Sequence, residues 1–157
     1  MRGSDYMMGT QPLRKMKASH LMEEDVVSFT KEESCDHIIQ AMEEGGFGGV
    51  PIIDEHNRLI GIVSEFDLLN GILAGMDMVH LKAGEIMQHP YSVSVDCPSM
   101  EICRLFQENH LIRAPVVDDY NRVVGIVSRR DILKGYLEEK MGPPLSLGRR
   151  AKWGFSD

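Results

Sequence analysis

A chain of 157 residues with 43% hydrophobic side chains is long enough to bury roughly 68–70% of its unfolded surface, which is ample for a core without staples. Its formal charge of -7 and pI near 5.3 argue against a nucleic-acid backbone as the main partner, because surfaces that bind one are usually basic. No apolar run approaches the roughly 18–20 residues of a membrane span, and the start lacks the apolar stretch of a secretory signal. The sequence therefore predicts a cytoplasmic protein with no membrane partner. The three cysteines, Cys35, Cys97 and Cys103, are widely spaced and form no C-x-x-C, which suits reduced thiols.

In chain order, residues 1–17 mix Gly, polar and basic side chains without periodicity and read as a flexible leader. Ser19-His20-Leu21-Met22 opens a first unit, expected over residues 18–75, and Val26-Val27-Ser28-Phe29 reads as a short strand. A helix follows, with Ser34 as its N-cap and Cys35, Ile38, Ile39 and Met42 on one face, and it stops at Gly45-Gly46. Pro51-Ile52-Ile53, a polar turn and Gly61-Ile62-Val63-Ser64 make a hairpin, and Ser64-Glu65-Phe66-Asp67 opens a helix carrying Leu68, Leu69, Ile72 and Leu73. Residues 76–82 form a linker.

The second unit, residues 83–140, repeats the first. Gly84-Glu85-Ile86-Met87 matches the opening at an offset of 65, and Tyr91-Ser92-Val93-Ser94-Val95 reads as its short strand. Pro98 lies in the opening turn of a helix with Ser99, Ile102, Cys103 and Phe106 on its stripe and Asn109 as terminator. Pro115-Val116-Val117 and Gly125-Ile126-Val127-Ser128 repeat the hairpin at an offset of 64. Ser128-Arg129-Arg130-Asp131 then opens a helix with Ile132, Leu133, Tyr136 and Leu137. Residues 141–157 lack periodicity and read as a mobile tail. Each unit is thus β-α-β-β-α.

This pattern resembles the CBS domain family, whose units of roughly 60 residues occur as tandem pairs called Bateman modules. The resemblance rests on the leading Leu/Ile-Met, the helix stripe, the strand with its proline, and Gly-apolar-apolar-Ser-x-x-Asp, each present twice. It implies an α+β fold: a tandem pair of β-α-β-β-α repeats related by a pseudo-two-fold axis, with two clefts between them that in many members bind adenosine compounds. It also implies an apolar helical face for a second chain, hence a homodimer, and a regulated protein that the sequence does not identify.

An adenosine site has a physical basis in these residues. Ribose offers two hydroxyl donors, and the carboxylate of Asp67 or Asp131 supplies acceptor oxygens for a charge-assisted pair. Ser64 and Ser128 add hydroxyls, and helix N-termini favour a phosphate. Against this, Ser-x-x-Asp before an apolar run is also a capping signature worth about 0.5–2 kcal/mol without any ligand. From the resemblance, the Asp131 cleft draws Ser128, Arg113 and Arg130 from one repeat, with Val27, Phe47 and Gly48 enclosing the base. The Asp67 cleft draws Ser64, Gly49 and Phe66, with Leu111 and Ile112 opposite. Only the first carries cations for a phosphate.

Other constellations are weaker. The six histidines show no metal-site spacing, Gly45-Gly46-Phe47-Gly48-Gly49 lacks the spacing of a phosphate loop, and no nucleophile elbow or paired carboxylates suggest an enzyme. Two functions remain. One is a regulatory module sensing AMP, ADP or ATP, with no required cofactor and no metal; the other is a dimerisation or docking module without a nucleotide ligand.

Overall fold

The computed structural model describes residues 12–141. After a 3-10 turn at Leu13–Lys15 come α1 (Ala18–Leu21), α2 (Cys35–Gly45), β1 (Gly49–Ile53), β2 (Leu59–Ser64) and α3 (Glu65–Leu73). The second half contains α4 (Ala83–Ile86), β3 (Val93–Ser94), α5 (Ser99–Asn109), β4 (Arg113–Val117), β5 (Val123–Ser128) and α6 (Arg129–Met141).

The hairpins form because their turns satisfy themselves. Asp54 Oδ1 accepts the amides of His56 and Arg58 at 2.8 and 2.9 Å, while Oδ2 takes Arg58 Nε at 2.8 Å. Asp118 does the same for Tyr120 and Arg122. Asn57 and Asn121 close the turns with φ of 65° and 63°, a left-handed conformation that asparagine tolerates better than most residues. The two turns also bond to each other reciprocally. Leu59 N–H donates to the Asn121 carbonyl and Val123 N–H to that of Asn57, both at 3.0 Å. The Asn57 and Asn121 side chains donate to the carbonyls of Val123 and Leu59. These paired bonds lie about the pseudo-two-fold axis, and the α+β tandem arrangement expected from the sequence is the one found.

Each β-hairpin pairs antiparallel, with Pro51 opposite Ile62 and Pro115 opposite Ile126. The leading strands are shorter than expected. In the first unit only Phe29 bridges Ile52, and in the second only Val93–Ser94 pairs with Val116–Val117. Proline explains the limit. Phe29 N–H donates to Pro51 O and Ile53 N–H to Phe29 O, so the preceding rung would need an N–H that Pro51 lacks, and Pro115 imposes the same end on β3.

The leader is only partly what the sequence suggested. Residues 12–17 are ordered: Leu13 and Met16 are 8% and 7% exposed, Ser99 Oγ donates to Leu13 O, and Leu13 N–H donates to Glu139 at 2.9 Å. The remainder, residues 1–11, and the tail beyond Met141 lie outside the described residues. Leu13, Met16, Ala18 and Leu21 pack with Val93, Ile102, Phe106, Val116, Val127 and Ile132, the core of the second unit. Ala83 reciprocates in the core of the first, among Cys35, Ile38, Val50, Ile52, Val63 and Leu68. The leading segments are therefore exchanged. Ala18 N–H donates to Cys97 O, and Ala83 N–H to Glu33 O. Cys35 is fully buried, and desolvation raises its thiol pKa, as it does for Cys97 and Cys103.

The closing helices bury only part of their apolar content. Leu68 and Ile132 are inside, while Leu69 (61%), Leu73 (87%), Leu133 (63%) and Leu137 (53%) face outward. No helix among the described residues is long and apolar enough to cross a membrane.

Candidate functional site

Both Ser-x-x-Asp motifs act as helix caps. Asp131 Oδ2 accepts from Ser128 N–H at 2.8 Å and Ser128 Oγ at 3.0 Å, while Asp131 N–H donates to Ser128 Oγ at 3.2 Å. Asp67 and Ser64 repeat this at 2.8, 2.9 and 3.3 Å. Capping does not exhaust the carboxylate. Its bonds all fall on Oδ2, and among the described residues Oδ1 of Asp131 accepts none, leaving about two of four lone-pair sites for donors arriving from outside.

Asp131 lies on a cleft of about 500 Å³ that also includes Val27, Phe47, Gly48, Arg113, Ser128 and Arg130. The structure thus brings together every residue assigned to that cleft from the sequence. Sequence reasoning missed Glu23, Asp25 and Arg129; all three line the same walls. Glu23 is carried there by its bridge to Ile126, whose amide donates to Glu23 O. Its counterpart Gln88 bridges Ile62, so the repeat offset itself was a signal. Phe47 folds back against Gly45, where an added β-carbon would meet the ring, so close packing accounts for that glycine.

Arg113 occupies the space left by Gly48 and Gly49. A β-carbon at Gly49 would stand 3.0 Å from Nη1. Burial lowers the Arg113 pKa from its ordinary value, and the charge of Glu65 opposes that shift. The cleft walls therefore carry three guanidiniums, Arg113, Arg129 and Arg130, together with three carboxylates, Glu23, Asp25 and Asp131.

The second cleft differs from its expected composition. Asp67 opens on a hollow of about 240 Å³ with Asn70, Gly71, Met76, Glu85, Ile86, Met87 and Gln88. Leu111 and Ile112 are not on it, and Gly49 lines the Asp131 cleft. At the start of α6, Arg129 N–H donates to Ile112 O as Glu65 N–H does to Gly48 O in the first unit; Arg129 Nε adds a bond to Leu111 O at 2.6 Å that Glu65, which has no side-chain N–H, cannot repeat. Ile112 lines the Asp131 cleft, and Leu111 packs on the second core.

Asp54, Glu55 and His56 form a His/carboxylate group on the exposed hairpin turn. Asp54 is already committed to Arg58 and two amides there.

The arrangement of two hairpins about a pseudo-two-fold, with exchanged leading segments and paired caps facing clefts, defines one tandem module rather than two independent domains. The CBS domain model matches residues 18–74 and 83–138, and the chain belongs to the CBS domain family. An uncharacterized protein of Methanopyrus kandleri is 31% identical over 124 residues, covering 78% of this chain and 63% of that one. Inosine-5'-monophosphate dehydrogenase of Methanocaldococcus jannaschii is 29% identical over 118 residues, 75% of this chain and 23% of the enzyme. The chain thus spans less than two thirds of these relatives' length. Among solved structures, CBSX2 in complex with AMP superposes with a TM-score of 0.70 at 26% identity, covering 79% of this chain and 98% of that one. Hypoxic Response Protein I with two coordinated zinc ions does so at 0.69 and 28%, covering 75% and 97%.

Proposed function

We propose that this chain is a regulatory module that binds an adenosine nucleotide of the AMP, ADP or ATP class in the cleft at Asp131. The observation that carries the reading is the Asp131 carboxylate. Its Oδ2 caps α6 while its Oδ1 takes no bond among the described residues, on a cleft that Arg113 and Arg130 also line, so ribose hydroxyls and a phosphate find acceptor and cations in one cleft. Val27 and Phe47 supply apolar surface for the base. The AMP complex of CBSX2, a neighbour of the same fold, supports this ligand class. The module works as a homodimer in the cytoplasm, joined through the outward apolar faces of α3 and α6, and passes occupancy to a partner protein rather than performing catalysis. On this reading the units run over residues 18–75 and 83–140, joined by the linker at 76–82.

A thermal-shift panel of AMP, ADP, ATP and S-adenosylmethionine tests it, since a ligand at 100 times its Kd adds about 2.7 kcal/mol of stability. No shift with any adenosine compound at millimolar concentration would sink the reading. It would favour a docking module instead, for which the exposed Leu69, Leu73, Leu133 and Leu137 are the specific support.

A further inference from the structure

Glu65 sits where the repeat places Arg129 in the second unit. From the first position of α3 its carboxylate reaches back toward β1. A β-carbon at Gly48 would lie 2.9 Å from Glu65 Oε1 and 2.7 Å from Arg113 Nη2, so the two charged groups flank the gap left by Gly48 at the wall of the Asp131 cleft without closing to an ion pair. The two adjacent glycines create that space. A side chain at either position would have to displace the guanidinium. The Glu65 charge is felt at Arg113, where it counteracts the effect of burial.

We propose that the Glu65 carboxylate, which faces Arg113 across the gap left by Gly48, sets the charge selectivity of the Asp131 cleft, weakening phosphate-bearing ligands relative to neutral adenosine. The inference rests on the reading of that cleft as an adenosine site. A phosphate that engages Arg113 comes near the Glu65 carboxylate, and the two anions repel across the Gly48 gap. Neutral adenosine meets neither cost. Glu65 is exposed, so solvent screens the effect and added salt weakens it further.

The test is calorimetric titration of wild type, Glu65→Gln and Glu65→Gln/Arg113→Ala with AMP and with adenosine. Removing the carboxylate charge should tighten AMP by about tenfold at low salt, leave adenosine within about twofold, and lose most of its gain in 1 M salt. In the Arg113→Ala background the gain should fall, because the phosphate is no longer held at the guanidinium near Glu65. If both ligands bind wild type but Glu65→Gln leaves their ratio unchanged, Glu65 is a bystander and the proposal is overturned while the cleft reading survives. If neither ligand binds wild type or variant, the cleft reading fails and the selectivity role falls with it. Glu65→Ala, which also removes the charge, must reproduce the change in ratio; a gain confined to the Gln variant would equally overturn the proposal.

Discussion

Replacing Asp131 by Asn separates two jobs that one side chain performs. An amide oxygen keeps the cap, because it can still accept from Ser128 N–H and Oγ, now at 2.8 and 3.0 Å from Oδ2. Losing the negative charge from the first turn of α6 costs about 0.3–1 kcal/mol. At the ligand, the open Oδ1 becomes either an amide donor or a neutral acceptor. Hydrogen bonds to a charged group are worth about 1.5–3 kcal/mol, so AMP affinity should fall by about 10- to 150-fold, each 1.4 kcal/mol being a factor of ten. Asp67→Asn is the internal control. Its cap has the same bonds at 2.8, 2.9 and 3.3 Å, so it should lose the same stability yet leave AMP binding at the Asp131 cleft unchanged. Urea unfolding and calorimetry on both variants give the two quantities. An Asp131→Asn variant that loses no more AMP affinity than Asp67→Asn would refute the argument and leave the motif as a cap alone.

Arg113→Ala should weaken AMP far more than adenosine, since only AMP loses a charge-assisted contact; equal losses in calorimetry would mean that this arginine supports the fold or the base. Leu13→Ala, at a side chain only 8% exposed, should cost about 2–4 kcal/mol in urea unfolding, whereas a change in a flexible leader would stay within about 0.5 kcal/mol. Sedimentation should give a dimer at micromolar concentration, and Leu137→Asp, on the outward face of α6, should shift it toward monomer. A wild-type chain that sediments only as monomer would count against the proposed assembly.

What could be read from the sequence was what lies within a few residues along the chain. Ser34 accepts from His37 N–H at 3.3 Å, the Ser-x-x-Asp caps close over three residues, and Asp54 and Asp118 bond within four. Such contacts leave a residue signature at fixed spacing. The exchange of leading segments leaves a weaker one, because Leu13 and Ser99 meet across 86 positions. A trace was nevertheless present. Met16-Lys17-Ala18 stands 65 positions before Leu81-Lys82-Ala83, so the repeat begins ahead of the point where the apolar stripe made it obvious. The composition of the Asp67 hollow was not legible, since Glu85, Ile86, Met87 and Gln88 reach it from beyond the 76–82 linker.

The two caps show where the duplicated halves are free to differ. Ser64-Glu65-Phe66-Asp67 and Ser128-Arg129-Arg130-Asp131 have bonds of 2.8 against 2.8 Å, 2.9 against 3.0 Å and 3.3 against 3.2 Å, although their middle residues are opposite in charge or unlike in polarity. Those middle residues are exposed in both copies, so changing them barely perturbs the helix they open. Replacing Gly49 by Arg113 at the matching strand entry is tolerated for a different reason: Gly48 and Gly49 leave the volume that the guanidinium fills. The fold therefore constrains the serine, the aspartate and the prolines, while the positions between them can vary in charge. Three cations have accumulated around Asp131, and Glu65 flanks the equivalent Asp67. With the backbone geometry held equal, such a difference changes what each cleft attracts and leaves the stability of the repeat nearly untouched, which is why charge at these positions bears on ligand choice and the caps by themselves do not.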